Sequence, residues 1–102
     1  PAESSLRKAL ALGERAEARV RLARALRLQG RSAEALAELR KAEQAPQLSS
    51  EYFQRLMADA SCERGLVLDQ QGDKAAARAA FQRALDHDPS HAEARRRLMP
   101  PQ

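Results

Sequence analysis

The sequence predicts an all-α chain made of antiparallel helical hairpins packed side by side. Three observations carry this. Ala, Leu, Arg, Glu and Gln dominate the composition, and all favour helix, while 102 residues contain only four glycines and five prolines. Apolar residues recur at intervals of three and four along several segments. Two similar tripeptides, Gln29-Gly30-Arg31 and Gln71-Gly72-Asp73, each separate a pair of such segments.

Taken in order, helices are expected near 3–12, 16–29, 32–45, 50–71, 74–87 and 91–98. The first is expected because Lys8-Ala9-Leu10-Ala11-Leu12-Gly13 is similar to Arg83-Ala84-Leu85-Asp86-His87-Asp88-Pro89. Both stretches run into the same tetrapeptide, Ala16-Glu17-Ala18-Arg19 and Ala92-Glu93-Ala94-Arg95. Within 16–29 the apolar positions are Val20, Leu22, Ala23, Leu26 and Leu28; within 32–45 they are Ala35, Leu36, Leu39 and Ala42. Gly30 and Gly72 are placed as left-handed residues that end a helix, and Ser32 and Asp73 as N-caps of the next. Links this short fold successive helices back on one another.

The fourth helix is long. Pro46 closes the preceding segment, Ser49 or Ser50 can cap, and Glu51 stands in the first turn, where a carboxylate favours the helix dipole. Tyr52, Phe53, Leu56, Met57 and Ala60 then run at helical spacing into Gly65 and Leu68. Two readings of the Tyr52/Phe53 extension stand: it covers an exposed end of the stack, or it forms part of a partner groove or dimer contact.

The same residues argue against several chemistries. No apolar run approaches the ~20 residues that cross a bilayer, and no leader-like segment is visible. The cytoplasm is favoured, with the periplasm open if a leader has been removed. Cys62 is the only cysteine, which excludes an internal disulfide and a cysteine-based zinc site. Asp86, His87, Asp88 and His91 gather near Pro89, but the segment reads as a solvated turn rather than a metal site. No Walker loop, dinucleotide turn or HExxH is present. No enzyme activity, cofactor or metal is expected. Arg95, Arg96 and Arg97 form a short basic run without stacking aromatics, so nucleic acid is disfavoured.

The spacings then become specific. The tetrapeptide pair lies 76 residues apart; the glycine pair lies 42 apart, leaving 34. A 34-residue unit with small residues at these places resembles the tetratricopeptide repeat family. In the unit counted from Ala58, the family's small residues fall on Gly65, Ala77 and Ala84, its aromatic on Phe81 and its closing proline on Pro89. Leu68 replaces its tyrosine, and Ser61 and Arg64 depart from its Trp and Leu. In the unit counted from Ala16, Leu22, Ala23, Leu26, Ala35, Leu39 and Ala42 fit, Arg19 departs, and Pro46 arrives one place early. The match covers roughly 16–48 and 58–91.

The resemblance implies a short right-handed α-solenoid: a half repeat at 3–15, a repeat at 16–49, an extended repeat at 50–91 and a partial helix at 91–98. It also implies a non-enzymatic protein-interaction module, an adaptor, assembly factor or co-chaperone-like scaffold. The small residues let helix axes approach, and Leu39 and Phe81 fill the space between hairpins. By the family's pattern the ligand-facing residues are Glu17, Val20, Arg21, Arg24, Arg27 and Leu28 on one helix. On the long helix they are Asp59, Cys62, Glu63, Leu66, Asp69 and Gln70. A second contact is placed at Tyr52 and Phe53. The basic and acidic walls either pair with each other or receive a protein or peptide that is acidic or of mixed charge. Arg21 and Glu63 stand where chaperone-binding members carry Asn, so a chaperone tail is not expected. The alternative is a self-association module: a homo-oligomer, or part of a longer array.

The charge is uneven. Residues 1–45 hold ten basic and six acidic residues, while the rest is balanced. That biases the first half toward acidic partners.

Overall fold

The computed structural model describes residues 2–44 and 51–98, and the side chains of 14–44 and 51–98. Five helices account for almost all of it: α1 (Ala2–Leu28), α2 (Ser32–Glu43), α3 (Glu51–Gln70), α4 (Lys74–His87) and α5 (Ala92–Leu98). No strand occurs among the described residues.

The two glycine links are the best-defined local structures. Gly30 and Gly72 have φ of 77° and 87°, a region that costs glycine nothing. At each link the residue after the glycine returns its N–H to the helix: Arg31 to the Leu26 carbonyl at 2.8 Å, Asp73 to that of Leu68 at 3.0 Å. The glycines themselves bond Arg27 and Asp69. This paired pattern is a Schellman ending, and it satisfies carbonyls the helix leaves open. Asp73 then caps α4 by accepting from the Ala76 N–H at 3.1 Å.

Three expectations need correction. First, the break between 3–12 and 16–29 is absent: α1 runs unbroken for 27 residues. A lone glycine inside a helix costs about 1 kcal/mol relative to Ala, which Gly13 does not convert into a stop. Its successors Glu14, Arg15, Ala16 and Glu17 are helix formers, and neither a capping side chain nor a proline follows it. Second, Ser32 does not cap α2. Arg31 occupies the cap position without a side-chain cap bond, and its guanidinium grips Glu34 at 2.6 and 2.9 Å instead. Third, Phe53 is no surface contact: it is 1% exposed and sits in the core, while its neighbour Tyr52 is 53% exposed. Adjacent helical positions diverge by about 100°, and here that rotation turns Phe53 into the core while Tyr52 stays on the surface. Pro46, Ser49, Ser50 and the C-terminal Met99–Pro101 stretch lie outside the described residues.

Helix directions follow from side-chain ties. Tyr52 bonds Glu17 at 2.7 Å and Arg27 bonds Glu63 at 2.8 Å. Sequence numbers rise together in the two pairs, so α1 and α3 run parallel. Between α3 and α4 the pairs are Gln54 with His87 and Gly65 with Phe81, numbers that run oppositely, so these helices are antiparallel. One core cluster joins α1, α2 and α3 through Val20, Ala23, Leu26, Ala35, Leu39, Ala42, Phe53, Met57 and Val67. A second joins α3, α4 and α5 through Ala58, Cys62, Ala77, Phe81, Ala84 and Ala94. The small residues expected at the joints are buried, and Gly65 is needed where it stands: a Cβ there would lie 2.5 Å from Phe81 Cε1. The molecule is elongated, 52 × 28 × 16 Å.

Candidate functional site

Because α1 and α3 are parallel neighbours, the residues each presents on one side line a common trough. An open groove of about 740 Å³ runs there. Its α1 wall is Glu17, Val20, Arg21, Arg24 and Arg27; its α3 wall includes Asp59, Cys62, Glu63 and Leu66. These are nine of the residues expected to face a ligand, now brought to one surface. Tyr52 joins them at one end. Leu28 and Asp69 do not line the groove: Leu28 is 70% exposed at the end of α1, and Asp69 pairs with Lys74 at 2.5 Å. Gln70, exposed at the end of α3, also lies outside it.

Sequence reasoning missed Arg55, Leu56, His91 and Glu93, which complete the lining. For the first two the signal was present, since Tyr52, Arg55, Leu56 and Asp59 follow the i, i+3, i+4, i+7 rule. For His91 the signal was its place just before α5. Its Nδ1 accepts the Ala94 N–H at 3.2 Å, which fixes the proton on Nε2, and Nε2 donates to Asp59 at 2.8 Å. The imidazole therefore caps α5 while tying it to α3. The Asp86–His91 cluster is otherwise dispersed: His87 meets Gln54, and Asp88 turns back on Ser90.

The groove's electrostatics divide into a sealed part and an open part. Arg27 and Glu63 pair at 2.8 Å with side chains only 14% and 13% exposed, joining the basic and acidic walls across the floor. Arg24 approaches the same carboxylate at 4.0 Å. Arg21, Arg24 and Arg55 remain 79%, 68% and 67% exposed, with guanidinium groups reachable from solvent. Arg21 holds Glu17, and Arg55 holds Glu51, by exposed i,i+4 pairs that a competing carboxylate can replace at little cost. Val20, Leu56, Leu66 and the Cys62 side chain supply an apolar strip between the charges.

Two titratable groups of the groove are shifted by their surroundings. Burial, reinforced by the Glu63 charge, pushes the Cys62 thiol up to about 12, so it stays protonated and unreactive at neutral pH. The hydrogen bond to Glu17 raises the Tyr52 phenol above its ordinary value. No group of three metal-ligating side chains occurs among the described residues. No helix among them is long and apolar enough to cross a membrane.

No curated protein and no solved structure matches the chain. A family model does: the tetratricopeptide repeat-like domain matches residues 1–99. With nearly the whole sequence covered, the Gly65–Phe81 joint and the parallel pairing of α1 with α3 fall within that match. The chain belongs to the tetratricopeptide repeat-like family.

Proposed function

We propose that the α1/α3 groove is the concave face of a short right-handed α-solenoid and holds a segment of a protein partner. The chain then acts as an adaptor or assembly scaffold, in keeping with a family whose domains are typically non-enzymatic. In this reading the repeat 16–49, the extended repeat 50–91 and the partial helix 91–98 form one array, with residues 3–15 continuing the first helix rather than forming a half repeat. The carrying observation is that Arg21, Arg24 and Arg55 stand open around the apolar strip of Val20, Leu56 and Leu66. Such a surface suits a peptide that alternates carboxylates with aliphatic side chains. The carboxylates set register and the aliphatic groups supply buried area.

The test is affinity capture from native lysate with the wild type and with Arg21, Arg24 and Arg55 all changed to Glu. Arg27 is left alone because it holds Glu63 in the floor. A protein retained by the wild type and lost from the folded variant is the expected result. Equal retention by both defeats the groove reading. Recovery of this chain alone favours the second reading, self-association, which the exposed Leu28 and Tyr52 support.

A further inference from the structure

A second cleft lies on the other side of the helix layer. Ser61, Arg64 and Leu68 of α3 form its base, about 180° around the helix from Asp59, Glu63 and Leu66. Leu36 and Arg40 of α2 form one wall, and Ala76, Ala79, Ala80 and Arg83 of α4 the other, around about 280 Å³. The two clefts differ in charge. The α1/α3 groove is lined by four arginines and four carboxylates, whereas the described lining of this cleft has three arginines and no acid. Arg64 is neutralised by Glu43 at 3.0 Å. Arg40 and Arg83 are exposed and form no ion pair with any described residue. Between them the surface is aliphatic: Leu36 and Leu68 are half-buried and three alanines line α4. Ser61, a buried polar residue, also lies there.

We propose that this cleft is a second docking site, for an acidic aliphatic segment of a partner protein: one leucine-sized side chain in the cleft, flanked by carboxylates on Arg40 and Arg83. Charge complementarity selects this occupant. Residues 1, 45–50 and 99–102, which lie outside the described residues, contain no acidic side chain and do not match the two arginines. Nucleic acid fits poorly, because the lining offers aliphatic groups and no aromatic face on which a base can stack. Two acidic segments can therefore be held at once, on opposite sides of α3, and this site does not depend on the α1/α3 groove being occupied.

The test is fluorescence anisotropy with a labelled peptide of repeating Glu-Leu-Glu, against wild type, Arg40→Glu/Arg83→Glu, Ala79→Glu, and the Arg21/Arg24/Arg55→Glu variant. Arg40, Arg83 and Ala79 are all exposed, so thermal melts of the variants should match the wild type. Ala79→Glu keeps a helix former while setting a carboxylate in the cleft. The peptide binds two sites on the wild type. Arg40→Glu/Arg83→Glu and Ala79→Glu each weaken one site at least tenfold and leave the other. The Arg21/Arg24/Arg55 variant leaves the cleft site intact. Binding unchanged by both cleft variants overturns the proposal. So does stronger binding of a single-stranded oligonucleotide lost in the same variants, or concentration-dependent self-association that the cleft variants abolish.

Discussion

Replacing Gly65 with Ala sets two well-measured tendencies against each other. Gly65 lies inside α3, where Ala is favoured over Gly by about 0.8–1.0 kcal/mol. Helix propensity alone therefore makes the substitution stabilising. Packing opposes it: the new methyl carbon would meet Phe81 Cε1 at 2.5 Å, Cδ1 at 2.7 Å and Cζ at 2.9 Å. Comfortable carbon contacts lie near ~3.5–4.0 Å, so the overlap is about 1 Å against a ring that is itself in the core. Overpacking of this kind costs about 1–3 kcal/mol. The net expectation is a loss of about 1 kcal/mol, or roughly 4–8 °C in Tm for a domain of this size. Urea and thermal unfolding read it directly. Phe81→Leu removes the ring atoms that clash, so Gly65→Ala in that background should become neutral or stabilising. The double-mutant cycle should give a coupling of about 1–2 kcal/mol. A Gly65→Ala variant that melts higher than the wild type would refute the account of the α3–α4 joint.

Arg27→Ala should cost about 1–2 kcal/mol in urea unfolding, because it strips Glu63 of its short partner in a sheltered site, whereas Arg24→Ala should stay within about 0.5 kcal/mol. Iodoacetamide should leave Cys62 unmodified in the folded protein at pH 8 and label it in urea. Its thiol pKa is raised on folding from 9.0 to about 12, so the stability it contributes is whole below pH 9 and is lost as pH rises toward 12. On the acid side, burial pushes the Glu93 carboxyl up, but Arg97 and Arg96 outweigh it and hold it below its ordinary 4.5. A depressed pKa gives stability above the unfolded value and loses it as pH falls. The urea midpoint should therefore drop below about pH 4.5, and by less in Arg97→Ala.

Where the sequence could be read, a single residue had one physical option. Gly30 and Gly72 had to be left-handed, Asp73 could cap, and the small residues at Ala23, Ala35, Ala77 and Ala84 had to admit a neighbouring helix. The nine groove residues were legible because helical period and family pattern agree on one face. What escaped depended on competition between neighbours. Ser32 was a fair cap, yet Arg31 and Glu34 found each other first. Tyr52 and Phe53 were indistinguishable by spacing, and only the position of α1 decides which ring is covered. Arg27 resembled Arg21 and Arg24 in sequence, but Glu63 on another helix drew it inward. The break expected between 12 and 16 is absent because a glycine that stops a helix and one that is tolerated inside it differ only in their C-terminal neighbours.

The unbroken α1 has a mechanical consequence. Its 27 residues rise about 40 Å, while the 12 of α2 rise about 18 Å. The hairpin partner therefore ends near Ala16, and the first half of α1 extends past it as a continuous rod. A load at its first turn is carried down the rod to Glu17, Arg21 and Arg24. The Tyr52–Glu17 and Arg27–Glu63 bonds, about 15 Å apart along it, act as two bearings against α3. Bending or turning the rod shifts one groove wall against the other, which changes the spacing of Arg21 and Arg24 from the charges on α3.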